Sequence, residues 1–291
     1  MNYSLSLRRL VALSALACLP ALASAGLRTF AGYDANSVPR NDDGSSDLVD
    51  LGFTANFFGT SYDKLYVNNN GNITFGAPLS TYTPFGLLAT SEVIIAPFFA
   101  DVDTRGTGSN PVTFGSGVLD GHQAFAANYV NVGVYSELPI YNTFQVVLID
   151  RSDVAAGAFD FEFNYTDINW EAGTASGSNS SGIGGSPARI GYSNGNDMAF
   201  ELPGSGESLA FLDSNLSTGL IYSHLGTPFD GDIVDGRYAF SVRGGEVQEP
   251  PPDDNNPPPV ITPVPEPATY GLFAVVGLAA VVACRRRKSR A

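Results

Sequence analysis

Two carboxylates near the middle of the chain are spaced for chemistry. Asp101 and Asp103 alternate in Asp101-Val102-Asp103-Thr104, directly after the apolar stretch Val93–Phe99. If that stretch is a strand, alternate positions share a face and both carboxylates enter one loop. Oxygen ligands of this kind suit calcium, with backbone carbonyls and Asn side chains completing a shell of about six to eight. The same acids can instead fix the turn, by accepting backbone N–H groups or by pairing with Arg105. Trp170 and the tyrosines Tyr82, Tyr135 and Tyr141 can stack on sugar rings. The 13 Tyr and 19 Phe of the chain are also enough to fill a core, where a lone Trp following a strand belongs by its size.

A catalytic constellation is missing from the sequence. Gly206-Glu207-Ser208-Leu209-Ala210 falls one residue short of a nucleophile elbow, and Gly115-Ser116-Gly117 lacks the third Gly of a dinucleotide loop. His122 and His224, the only two histidines, read as surface or loop residues. Both cysteines fall in apolar end segments, which leaves neither a disulfide framework nor a Cys-based zinc site. Asp160 and Glu162 supply two carboxylates, as glycosidases require. Alternate positions on one strand set them side by side on a face, however, and that face reads as solvated. The chain is therefore expected not to be an enzyme and to need no cofactor beyond calcium at Asp101 and Asp103.

Charge excludes a further class. The 291 residues carry 15 Lys+Arg against 29 Asp+Glu, a net of −14, and residues 26–267 hold all 29 acids with 8 of the bases, a net of −21. Such a surface repels nucleic acid and favours cations and neutral or basic partners.

The elements that must hold these residues begin inside two terminal addresses. Residues 1–25 have the layout of a secretory signal peptide: Arg8 and Arg9, the apolar Leu10–Leu22, then Ala23-Ser24-Ala25 before Gly26. Residues 268–284 are almost wholly apolar and run into Arg285-Arg286-Arg287-Lys288. A helix rising ~1.5 Å per residue would span ~25 Å there, enough for a short transmembrane helix, with residues 285–291 as its basic cytoplasmic tail. Just upstream stand Pro265, Glu266 and Pro267. Together with the apolar segment and Arg285, Arg286 and Arg287, this Pro-Glu-Pro resembles the PEP-CTERM sorting signal of Gram-negative bacteria. The resemblance implies an exosortase-type sorting enzyme as a partner that recognises the tail and processes it during export. An unprocessed membrane anchor is the plainer alternative. Residues 244–267, with nine Pro, read as an extended linker of up to ~75 Å.

The body, 26–243, is rich in Gly and Pro (32 and 19 in the whole chain) and its apolar runs are short. Lys64–Asn68 and Asn72–Gly76 flank an Asn-Gly turn and predict a hairpin. Val93–Phe99 predicts a strand that ends or bulges at Pro97, and Phe144–Asp150 a central strand. Phe159, Phe161, Phe163 and Tyr165 alternate with Asp160, Glu162 and Asn164, which predicts a half-buried antiparallel strand. Ala188–Ser193 and Tyr238–Val242 add two more. The fold class expected is all-β, a single antiparallel β-sandwich-like domain with long loops at 104–120 and 171–187, the second mobile because it is rich in Gly and Ser.

Several of these runs carry a resemblance. Leu65–Gly76 (Leu-Tyr-Val-Asn-Asn-Asn-Gly-Asn-Ile-Thr-Phe-Gly) is similar to the opening of a nidogen-like (NIDO) domain, and Ile95–Gly106 to that family's most recognisable block. Asn142–Leu148, Phe163–Tyr165, Ile168–Glu171, Ala188–Tyr192, Glu201–Ser205 and Gly236–Phe240 follow in the family's order. The resemblance implies an extracellular, non-enzymatic domain of the kind found in nidogen, tectorin and a membrane mucin, associated with cell–matrix adhesion. The expectation is thus an exported bacterial surface protein of the cell envelope or extracellular space. It is membrane-anchored at least before sorting, and its partner is a polysaccharide or protein of the matrix. The alternative is a carbohydrate-binding protein of the exopolysaccharide layer, gripping glycan through Trp170 or a calcium loop.

Overall fold

The computed structural model describes residues 25–248. Chain order gives β1 (Asn36–Ser37), β2 (Val49–Phe57), β3 (Thr60–Asn68), β4 (Asn72–Thr74), β5 (Ile94–Phe99), β6 (Thr113–Leu119), β7 (His122–Val134), β8 (Leu138–Asp150), β9 (Phe159–Asp167), β10 (Arg189–Ser193), β11 (Ala199–Glu201), β12 (Arg237–Arg243) and β13 (Glu246–Val247). Among the described residues the only helical pieces are three single 3₁₀ turns, and no helix is long and apolar enough to cross a membrane. The expected signal peptide, apolar 268–284 helix and sorting residues lie outside the described residues, apart from Ala25. That residue is buried, and its N–H donates to the carbonyl of Asp235 at 2.7 Å.

The strands make two antiparallel sheets. One has the order β1-β6-β7-β8-β9-β12-β13, with β8 at its centre, and the other β11-β10-β5-β4-β3-β2. Their facing sides share one apolar cluster. Phe57 meets Phe159 edge-on at 5.6 Å, Phe98 meets Phe144 at 5.2 Å and Tyr192 meets Phe240 at 5.8 Å, each pair reaching from one sheet to the other. Buried tyrosines add polar ties across the same gap. Tyr165 on β9 donates its hydroxyl to the carbonyl of Pro97 at 2.6 Å, and Tyr129 on β7 donates to that of Asn68 at 2.7 Å.

The strand readings hold, with differences at their edges. Asn68 faces Asn72 across the Asn-Gly turn. Strand β5 runs through Pro97, and its register against β10 shifts between Arg189 and Gly191, so the expected irregularity is a bulge at the proline itself, where Pro97 and Phe98 face the single residue Ile190. The loop expected at 104–120 gives way to β6 from Thr113. Pairing also continues past the expected end of the body at 243. Gly244 and Gly245, both at positive φ, form the two-residue turn that folds β13 back on β12, a geometry that favours Gly-Gly.

Two expectations are corrected. The face bearing Asp160, Glu162 and Asn164 is not solvated: the three are 4%, 1% and 0% exposed, so β9 is buried on both sides. The segment around Arg28 and the loop around Asp230 cover it, because Arg28 forms a two-pronged pair with Glu162 and also reaches Asp230 at 2.6 Å. A charged residue leaves water only when such partners replace it. The 171–187 loop is likewise not loose. Glu171 accepts from the Gly184 N–H, the Ser208 hydroxyl and the Leu209 N–H, each at 2.6 Å, and pins the loop to the 203–210 segment.

Candidate functional site

Beyond Phe99 the chain leaves β5 and is bound on two sides. The N–H of Thr104 donates to Asn41, and that of Val102 to the side chain of Asn70 at 3.0 Å. Asn69 sends its amide to the carbonyls of both Asp42 and Val102, so one side chain joins the 41–44 loop to the 100–104 segment. The β3–β4 turn can lie this close only because residue 71 is glycine. Its φ is +72°, and a Cβ there would stand 1.8 Å from the carbonyl oxygen of Phe98.

These contacts gather carboxylates, though not the pair expected. Carboxylate oxygens of Asp42, Asp43 and Asp101 lie within 4.8 Å of one another. Asp103 goes elsewhere: it accepts from the Arg105 backbone N–H at 3.0 Å and from its guanidinium at 2.9 and 2.7 Å. The Val102 step therefore separates the two acids, Asp103 fixing the turn and Asp101 joining the cluster. Asp101 is 1% exposed and forms the floor; Asp42 and Asp43 are partly exposed and form the rim. Asn70 places Asp43 by donating to its Oδ1 at 2.9 Å. Spacing alone did not point to Asp42 and Asp43, which are remote in sequence from Asp101. The available signal was two adjacent acids within Asn41-Asp42-Asp43-Gly44, itself a turn sequence.

The electrostatics follow from burial and like charge. Asp101 is pushed up to about 7 by desolvation and by the neighbouring charges of Asp42, Asp43 and Asp103. Asp42 is pushed up to about 6, again by desolvation first, with Arg105 opposing. An acid whose folded pKa is raised destabilises the fold once ionised. That penalty is absent below the ordinary value of 3.8, grows with pH and is complete above about 7. In chelator, Asp101→Asn is thus expected to melt increasingly above the wild type as pH rises from about 4 to about 8. Thermal scans across that range check this, and a pH-independent difference would refute it.

Trp170 does not present a face to any glycan. It is 0% exposed, packs edge-on against Phe98 at 5.5 Å and donates its indole N–H to Val132 at 3.3 Å. The expected stacking role is corrected accordingly: the side chain is a core element. Beside Asp103 a depression of about 100 Å³ is lined by Gly106, Ser109, Glu137 and Tyr141 among others. That is well below the roughly 300 Å³ at which ligand pockets begin. His122 contacts the Asp150 carbonyl and His224 the Asp235 carboxylate, and neither enters the acidic cluster.

Comparison with known proteins bears on the whole body. The model of the nidogen-like domain family matches residues 63–243, more than half of the chain. The chain belongs to the nidogen-like domain family. The nidogen-like domain is followed by a match to the PEP-CTERM protein-sorting motif at residues 263–288, which contains Pro265, Glu266, Pro267 and the arginine cluster. Alpha-tectorin of Mus musculus is 33% identical over 235 residues, covering 72% of this chain and 10% of that protein. Nidogen of Drosophila melanogaster is 28% identical over 211 residues, covering 63% and 15% respectively. The nidogen-like chain thus spans about a tenth of the length of the alpha-tectorin it matches. No solved structure matches it.

Proposed function

We propose that this chain is a non-enzymatic, exported bacterial surface protein whose nidogen-like domain serves cell–matrix adhesion or the organisation of extracellular matrix. The observation that carries the reading is the presence, in one chain, of a nidogen-like domain and a PEP-CTERM sorting motif. The first supplies a rigid acidic body, the second a route through an exosortase-type enzyme to the cell envelope. The Pro-rich segment beyond β13, up to residue 267, serves as a stalk, and the apolar 268–284 segment holds the protein in the membrane at least until sorting. The residues 1–25 direct export. The body offers no catalytic constellation, and its aromatic side chains are largely spent on the core, which favours display over glycan capture.

A fluorescently tagged chain in its producing cells is expected at the envelope or outside. Deleting 263–291 is expected to abolish sorting and leave export intact, which fractionation of cells and medium reads directly. Retention of the complete chain in the cytoplasm would overturn the proposal. So would failure of the envelope-exposed protein to retain any polysaccharide or protein from that organism's matrix in a pull-down.

A further inference from the structure

We propose that Asp42, Asp43 and Asp101 are the protein ligands of a calcium site that staples the 41–44 loop to the end of β5. The inference concerns a site in the body and does not depend on what the domain adheres to. Acidic residues often gather on surfaces without a metal, but this cluster differs in its floor. Asp101 is 1% exposed, yet its carboxylate has no cation beside it among the described residues and a single long side-chain hydrogen bond. That bond comes from the Ser176 hydroxyl at 3.5 Å, well beyond the roughly 2.5–3.0 Å of a strong O–H···O bond. That hydroxyl lies closer to Thr83, at 3.0 Å. Asp42 Oδ1 is a fully buried oxygen without any hydrogen-bond partner.

Cations among the described residues do not resolve this. Arg105 spends its guanidinium on Asp103 and reaches only the other oxygen of Asp42, Oδ2, at 3.0 Å. No Lys, Arg or His pairs with Asp43 or Asp101 there. Three carboxylates converging within 4.8 Å, one of them buried, leave a negative charge that a hard divalent ion neutralises. Calcium suits the site better than magnesium, because it accepts an irregular oxygen shell and magnesium demands a near-octahedral one. Gly173 completes the wall. A Cβ at that position would come within 2.2 Å of Asp101 Oδ2, so glycine lets the 173–176 turn close over the carboxylate.

The test uses the full-length chain and calcium chloride. At about a hundredfold excess over the dissociation constant, calcium is expected to raise the melting temperature by roughly 5–10 °C. Chelator should reverse the shift. The dissociation constant should fall in the ~0.1–1 mM range of extracellular calcium modules, and titration calorimetry should give one ion per chain. Asp43→Asn and Asp101→Asn are each expected to remove the shift, and the exposed-site control Asp63→Asn to retain it. Calorimetry on the wild type keeps the test open if a variant fails to fold. No shift at about 10 mM calcium, ten times the weakest affinity of that range, would overturn the proposal. So would a shift that survives in both variants, which would signify diffuse ion binding by the acidic surface. An equal response to magnesium would overturn the assignment to calcium.

Discussion

Glu162→Ala is expected to destabilise the domain by about 3–5 kcal/mol, the range for removing one partner of a buried ion pair. For a domain of this size that is a fall in melting temperature of roughly 10 °C or more. Glu162 is 1% exposed, and Arg28 holds both its oxygens, with nitrogen–oxygen distances of 2.9 and 3.1 Å. Arg237, 5% exposed, stands 3.8 Å away and is kept in line by Asn164 at 3.0 Å. Asn164 in turn donates to Gln145, whose amide bonds the carbonyl of Arg28 at 2.9 Å, so the network closes on itself. Without Glu162, two guanidinium groups remain in a place made for an anion. Arg28 retains Asp230, which is why the loss should stop short of unfolding. Glu162→Gln keeps an acceptor and loses the charge, and should fall between. Thermal melts of the three proteins decide, and a Glu162→Ala midpoint within about 2 °C of the wild type would show that the network adds little to stability.

That network also marks where sequence reading ends. Period-two alternation in Phe159–Tyr165 revealed which side of β9 faces the core, because burial of four aromatics leaves a pattern in the chain itself. What covers the opposite side is a matter of topology. Arg28 and Asp230 are remote in sequence from Glu162, and no local pattern announces that they will meet there. The candidate site divides in the same way. Asp101 was legible from a strand followed by alternating acids, and Arg105 as a competitor for them was legible from its proximity. Which of Asp101 and Asp103 the arginine would take depended on the path of the backbone after Phe99. Asp42 and Asp43 were hidden for a different reason: a turn-forming Asn-Asp-Asp-Gly explains itself locally, so nothing in it asks for a distant partner. The Gly- and Ser-rich loop at 171–187 misled because composition measures the entropy of a free chain. Glu171, a single residue at its base, supplies the contacts that offset it.

Trp170→Ala is expected to cost about 3–5 kcal/mol, as large-to-small changes at buried aromatic positions do, and so to lower the midpoint by roughly 10 °C. The indole is fully buried within the apolar cluster that the two sheets share. Phe98 meets it edge-on, and Gly182 is pressed against its Cβ, where a side chain at 182 would approach to 2.6 Å. Its backbone is fixed as well, since Asn142 bonds the Trp170 N–H at 3.1 Å and its carbonyl at 2.9 Å. Those main-chain bonds survive substitution, so the loss belongs to the side chain. Trp170→Phe retains most of the aromatic volume and gives up the bond to Val132, and should recover a large part of the stability. The pair of variants also decides between display and glycan capture. A core tryptophan affects binding only through the folded fraction, so matrix retention measured well below both midpoints should be unchanged. If Trp170→Ala instead melted with the wild type and lost retention of polysaccharide, the indole would have to reach solvent. The carbohydrate-binding reading would then replace adhesion by display.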